Sequence, residues 1–134
     1  MLLEQLAFYQ NKLSYEMDSW DLFVALKEDP KIVVVDGRSQ EAFNIEHIPT
    51  AINIPHRSIS QESLASLDKS ALYVTYCDGI GCNASTKTAM KMLTLGFQVK
   101  EMLGGLDWWK RDGYKTEGEK SQDGTMVVKC GCEG

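Results

Sequence analysis

The residue best placed to do chemistry is Cys77. It follows Leu72-Tyr73-Val74-Thr75-Tyr76, a β-branched and aromatic run that reads as a short buried strand. Asp78-Gly79-Ile80-Gly81-Cys82-Asn83 comes next, and then a polar run to Leu95 that reads as a helix. A strand, a tight glycine loop and a helix N-terminus, in that order, bring backbone N–H groups together around the thiol. Such a site favours an anion, whether the thiolate itself or a sulfur-bearing adduct on it. A buried structural cysteine is the plainer reading of any single Cys. Its place at a strand end, before two glycines, favours the reactive reading here.

The chain holds four cysteines. Cys82 reads either as a resolving thiol, able to form a disulfide with Cys77 across the loop, or as a small hydrophobe turned inward. Cys130 and Cys132 read as a sulfur relay, as a metal pair or as an incidental tail. Neither pair has common zinc spacing, so no metal is predicted, and nothing in the chain calls for a cofactor. Asp36 and Arg38 stand at the end of the run Ile32-Val33-Val34-Val35, where an acid and a base brace loops more often than they catalyse. His47, beside Ile48-Pro49, reads as a scaffold histidine. His56 and Arg57 follow the brief strand 51–54 and so belong near the mouth of the Cys77 loop. That loop carries no cation, and Asp78 adds a negative charge to it; Arg57 is therefore a candidate substrate contact, with a solvated surface arginine as the alternative.

With 134 residues and a net charge of -5, the chain reads as one domain able to bury a core without disulfides. The charge argues against nucleic acid or an anionic membrane as partner. No apolar run approaches a membrane span, and the first fifteen residues lack the basic start and cleavage site of a signal peptide. Reduced thiols in a cytoplasmic protein are the resulting expectation.

Three segments are expected. Residues 1–14 form an amphipathic helix, with Leu2, Leu3, Leu6, Tyr9 and Leu13 at helical spacing, that packs on the domain. Residues 15–118 form the domain itself, and residues 119–134 a polar linker and Cys-Gly-Cys tail. Within the domain, Asp18 is the N-cap of a helix to about Lys27, and a short helix follows over 39–45. Another helix is expected over about Gln61–Leu67, then the strand at 71–76, the helix ending at Gly96, a strand over 98–103 and a helix near 107–111. The stretch 116–124 reads as an exposed loop, and 125–129 as one more strand. Strands alternating with helices predict a parallel sheet of four to five strands with helices on both faces, and ligands beyond the strand C-termini.

In this order the motifs resemble those of single-domain rhodaneses. Asp36-Gly37-Arg38 followed by Phe43 resembles the family's Asp-x-Arg segment. Glu46-His47-Ile48-Pro49-Thr50-Ala51-Ile52-Asn53-Ile54-Pro55 resembles its Gly-His-Ile-Pro-Gly-Ala-x-Asn-Ile-Pro. Tyr76-Cys77 matches the strand end with the catalytic Cys, and Gly104-Gly105, Trp109 and Gly113 resemble the closing Gly-Gly-x-x-x-Trp-x-x-x-Gly. The resemblance covers about Tyr15 to Tyr114. It implies the rhodanese fold and transfer of a sulfane sulfur through a persulfide on Cys77, with Asp78, Gly79, Ile80, Gly81, Cys82 and Asn83 as the anion-binding loop. It also implies structural parts for Asp36, Arg38 and Trp109. Glu46 and Thr50 replace glycines of the family turn, which reads as a matter of local backbone. The family's loop ends in Arg or Lys; here that end is Cys82-Asn83.

Three classes follow. Sulfur transfer from a small donor or a persulfide-carrying protein comes first. A thiol–disulfide protein using Cys77 and Cys82 is second, and a non-catalytic rhodanese-like interaction module third. A phosphatase would need a loop arginine to clamp its oxyanion, and there is none. The sequence leaves the donor, the acceptor and the oligomeric state open.

Overall fold

The runs of β-branched and aromatic residues become strands of one sheet. The computed structural model describes residues 2–124 and contains β1 (Glu16–Met17), β2 (Ile32–Asp36), β3 (Ile52–Asn53), β4 (Leu72–Tyr76) and β5 (Gln98–Met102). The strand order is β1-β5-β4-β2-β3 and every pairing is parallel, so the strand that ends at Cys77 is the central one. Parallel strands need crossovers; α2 (Ser19–Glu28), α3 (Gln40–Ile45) and α4 (Ala84–Thr94) lie in three of the four, while α1 (Leu2–Tyr15) precedes the sheet and α5 (Gly105–Arg111) follows its last strand.

Alternation along the strands divides the core in two. On one face Val34, Val74, Tyr76 and Met102 pack with Leu22 and Phe23 of α2 and with Leu106 and Trp109 of α5. On the other, Val35 and Tyr73 pack with Met92 of α4, Leu64 and Phe97. Helices therefore cover both faces, and all the strands point their C-terminal ends to the edge that carries Cys77. Asp18 caps α2 reciprocally with Asp21: the Asp18 side chain accepts from the Asp21 amide at 2.8 Å while the Asp21 carboxylate accepts from the Asp18 amide at 3.2 Å.

Several expectations are corrected. Residues 61–66 form a chain of turns, not a helix. Ser60 and Ser63 exchange side-chain-to-amide hydrogen bonds of 2.9 and 3.0 Å as at a helix start. After the Leu64 amide reaches the Ser60 carbonyl, however, the bonds from Ala65 and Leu67 reach back only three residues, and within 61–66 Leu64 alone is buried in the core. The stretch after Tyr114 is no loose linker. Glu117 bridges antiparallel to His47, and Thr116 is buried with its hydroxyl on the Glu46 carboxylate at 2.6 Å. Glu46 also takes the Lys110 ammonium at 2.7 Å, so this replacement for a family glycine ties α5 and the 116–122 segment to the turn after α3, which is more than local backbone. Finally, α1 forms but buries none of its residues: Leu2, Leu3, Leu6 and Leu13 all stay exposed, so it does not pack as expected. The expected strand 125–129, and with it Cys130 and Cys132, lie outside the described residues.

Candidate active site

Cys77 follows directly on β4 and is buried, at 2 % exposure. Its loop is held from below by the start of α5. The amide of Leu106 donates to the Cys77 carbonyl and that of Asp107 to the Asp78 carbonyl, both at 2.8 Å. Gly105 makes this approach possible: a Cβ there would come within 2.5 Å of the Cys77 carbonyl oxygen and the Gly79 nitrogen, and its φ is 62°. The Gly-Gly pair is thus part of the Cys77 site, 27 positions or more away in sequence. On the loop itself Gly81 adopts φ 90°, turning the chain back so that the Cys82 amide reaches the Gly79 carbonyl at 3.3 Å. The amides of Asp78, Gly79, Ile80 and Gly81 donate to no protein acceptor among the described residues.

That turn also brings Cys82 onto Cys77. The two are joined in a disulfide, with Cα atoms 6.2 Å apart. Cys82 is the exposed partner and Cys77 the buried one, so Cys82 is not turned into the core. Asn83 is the residue before α4 and makes no side-chain cap.

Asp36 and Arg38 meet at the ends of β2 and β4. Arg38 donates to Asp36 through Nε (3.0 Å) and Nη2 (2.8 Å), to the Glu46 carbonyl at 2.5 Å and, through Nη1, to Asp78 at 2.9 Å. The Tyr76 hydroxyl donates to Asp36 at 2.7 Å and accepts from the Ile48 amide at 3.1 Å. One guanidinium thereby links the Cys77 loop, the β2 end and the His47 turn. Burial would lower the affinity of Arg38 for its proton, but the hydrogen bonds and charge of Asp36, with Asp78, outweigh it and hold the guanidinium firmly charged. Burial first, and then the Asp36 carboxylate, push the Tyr76 phenol far up, so it stays a neutral donor. The Asp78 carboxylate, itself exposed, is turned to Arg38 and partly offset by it.

His47 stacks on Phe43 with ring centroids 3.8 Å apart, and its Nδ1 lies 2.7 Å from the Phe43 carbonyl, in the scaffold behind the loop. Trp109 is buried against Phe23 and Tyr114, its Nε1 donating to the Lys115 carbonyl at 2.9 Å.

The Cys77–Cys82 loop forms the wall between two hollows. One, of about 360 Å³, is lined by Cys77, Asp78, Cys82, Arg38, His56 and Arg57. It brings Arg57 to the same hollow as Cys77. Behind it, Lys91 of α4 donates to the His56 carbonyl at 2.8 Å. Burial, then Lys91, Lys87 and Arg57, lower the pKa of His56, which keeps the ring neutral near pH 7 beside three permanent cations. The other hollow, of about 480 Å³, shares Cys77 and Cys82 but is lined by Glu16, Asp18, Glu101 and Trp108. Glu101 accepts from the Ser85 and Thr86 hydroxyls at 2.7 and 2.5 Å, placing a carboxylate at the first turn of α4.

Glu101, Lys87 and Lys91 went unmarked in the sequence. A signal existed for the lysines, since an i,i+4 pair shares one helix face. For Glu101 the signal was a charge at the C-terminal end of a strand next to the central one. Among the described residues no group of three or more metal-binding side chains comes together, and no helix is long and apolar enough to cross a membrane.

A parallel α/β sheet with a cysteine on the loop after its central strand defines a class, and comparison with known proteins gives it a name. The model of the rhodanese-like domain matches residues 19–112, and the chain belongs to this family. It is 29% identical over 107 residues to a thiosulfate sulfurtransferase, GlpE, of Coxiella burnetii, covering 78% of this chain and 92% of that protein. It is 31% identical over 91 residues to the HTH-type transcriptional regulator Rv0324 of Mycobacterium tuberculosis, of whose length it spans 40%. Among solved structures, the BH2092 protein of Bacillus halodurans superposes with a TM-score of 0.84 at 38% identity, over 99% of this chain and 98% of that one.

Proposed function

We propose that this rhodanese-like protein is a sulfurtransferase in which Cys77 is the nucleophile. In the reduced protein the Cys77 thiolate attacks the outer sulfur of a sulfane-sulfur donor. The donor leaves as its thiolate, or as sulfite when it is thiosulfate, and Cys77 keeps the sulfur as a persulfide until a thiol acceptor takes it. The observation that carries this reading is the loop: a cysteine at the C-terminal end of the central strand, on a loop whose amides at 78–81 donate to no protein acceptor among the described residues, followed by the N-terminus of α4. Such a setting stabilises thiolate and persulfide, each carrying one negative charge.

Two donor classes fit, a small anion such as thiosulfate and a persulfide carried on a protein; neither involves nucleic acid, a membrane, a metal or a cofactor. The reduced thiols that the reaction consumes fit a cytoplasmic setting. The test is intact mass and peptide mapping of pre-reduced protein after exposure to a measured amount of donor. One sulfur gained on Cys77 is expected, read in Cys82→Ser protein, whose loop cannot form its disulfide, and absent from Cys77→Ser. Sulfur found on Cys82, Cys130 or Cys132 of the Cys77→Ser protein, at the same rate as in the wild type, would overturn it.

The Cys77–Cys82 bond favours a second reading, a thiol–disulfide protein that handles no sulfane sulfur. Under that reading the same experiment leaves the protein reduced with no sulfur uptake, and the Cys77–Cys82 disulfide forms only when a disulfide oxidant is added.

A further inference from the structure

The loop disulfide places a second sulfur on the nucleophile. We infer that Cys82 is a resolving cysteine that gives this protein a second activity, reductive release of sulfide from the Cys77 persulfide. The inference rests on the reading that Cys77 carries the persulfide. Where a lone loop cysteine must wait for an external acceptor, here a thiol stands inside the same loop. The Cα separation of 6.2 Å falls within the range of about 4.4–6.8 Å that a disulfide spans, and Gly81, at φ 90°, turns the chain that closes it.

The geometry selects which sulfur Cys82 attacks. The bond in the structure joins Cys82 Sγ to Cys77 Sγ, the inner sulfur of a persulfide, and not to an atom beyond it. In the step, the Cys82 thiolate forms a bond to Cys77 Sγ while the bond from Cys77 Sγ to the outer sulfur breaks. The outer sulfur leaves with the bonding pair as hydrosulfide. It is thereby reduced to sulfide, and the two cysteines are oxidised to the disulfide. No further oxidant is involved.

Resetting the loop requires a dithiol reductant, of the kind a small protein dithiol provides. One of its thiolates attacks Cys82 Sγ, the exposed partner, and expels the Cys77 thiolate. Its second thiol then closes its own disulfide and releases Cys82 as a thiol. Both selections follow from the site. Cys82 is open to solvent and Cys77 is buried, and the loop amides that favour a Cys77 thiolate make it the better leaving group. For a persulfide donor the cycle balances: one persulfide and one dithiol give one thiol, one hydrogen sulfide and one disulfide. A partner that approaches Cys82 meets the acidic hollow of Glu16, Asp18 and Glu101 on one side and Arg57 on the other.

The test is a single turnover. Pre-reduced, desalted protein is mixed with one equivalent of glutathione persulfide and no other thiol, and hydrosulfide and intact mass are followed together. Wild type is expected to release one hydrosulfide per chain and to finish with Cys77 and Cys82 linked, two hydrogens lighter than the reduced chain. Cys82→Ser is expected to hold the extra sulfur on Cys77 and to release hydrosulfide at least about tenfold more slowly. Wild type that keeps the persulfide without release or cross-link would overturn the inference and leave Cys77 as the sulfur carrier. Equal release by Cys82→Ser would also overturn it. If neither protein takes up sulfur on Cys77, the sulfurtransferase reading itself falls, and the resolving step with it.

Discussion

The carboxylate of Asp78 is adjacent in sequence to Cys77, yet it is paired with Arg38 at 2.9 Å. Its charge therefore opposes a Cys77 thiolate less than sequence adjacency implies, though it still opposes it, because Arg38 is shared with Asp36. In reduced protein, Asp78→Asn should move the pH midpoint of Cys77 alkylation downward; a midpoint that moves up would mean the carboxylate acts by fixing the loop through Arg38. A second residue stands out in the turn before β3. Thr50 adopts φ 73°, where a β-branched side chain is strained, and its position is one where the family has glycine. Thr50→Gly is expected to raise stability by about 0.5–1 kcal/mol, the strain relieved less the entropy that glycine adds to the unfolded chain. The measurement is the urea midpoint, and a midpoint that falls would show that the Thr50 side chain contributes more than its backbone costs.

At the scale of elements, the site depends on α5 as much as on β4. Two α5 amides carry the loop carbonyls, and the approach works only because Gly105 has no side chain. Gly105→Ala should cost about 1–3 kcal/mol and depress sulfur uptake at Cys77 more than Gly81→Ala does, because at Gly81, at φ 90°, a Cβ meets nothing within 4 Å and brings backbone strain alone, whereas at Gly105 it also strikes the loop backbone. Uptake unchanged in Gly105→Ala would show that the loop does not rely on α5. By contrast, α1 buries no residue, so removal of residues 1–14 is expected to leave the melting transition of the rest almost unmoved; a loss of several degrees would show that its leucines are covered in solution. These elements differ in how far the sequence betrays them. The strands, α2 with its Asp18 cap and the Cys77 loop were readable, because period, cap and glycine signals act over a few residues. The turns at 61–66 and the docked 116–122 segment were not. The first begins with a cap-like serine pair, a signal of a helix start, that three-residue turn bonds then fail to extend, and the second depends on a buried Glu46 carboxylate reached from Lys110 and Thr116, far away in sequence. The disulfide partner of Cys77 was readable as a candidate only, since the loop closure that joins the sulfurs is tertiary.

Over the whole molecule the charge is negative, at -5, but it is not evenly spread at the site. Arg57, Lys87 and Lys91 gather around His56 at the hollow on one side of the Cys77 loop, and Glu16, Asp18 and Glu101 line the other. Of these cations Arg57, in the turn after β3, lines the hollow with Cys77, whereas Lys87 and Lys91 of α4 act on His56. If Cys77 takes sulfur from a small dianion as proposed, that donor is expected to enter by this hollow and not by the acidic one. Its uptake is expected to depend on Arg57, because Arg38, the other cation lining the hollow, is already paired with Asp36 and Asp78. One unit charge a few Å away in a partly solvated cleft is worth about 1 kcal/mol or more, which is about fivefold in rate. Arg57→Ala should accordingly slow sulfur uptake from thiosulfate by about fivefold or more and leave uptake from a persulfide carried on a protein much less affected. Raising the ionic strength should narrow the difference between wild type and variant, because the hollow is open to solvent and its field is screened over about 10 Å at moderate salt. Sulfur uptake measured for both donors at two salt concentrations decides the matter. Rapid thiosulfate turnover that Arg57→Ala does not change would show that the basic hollow is not where the donor binds.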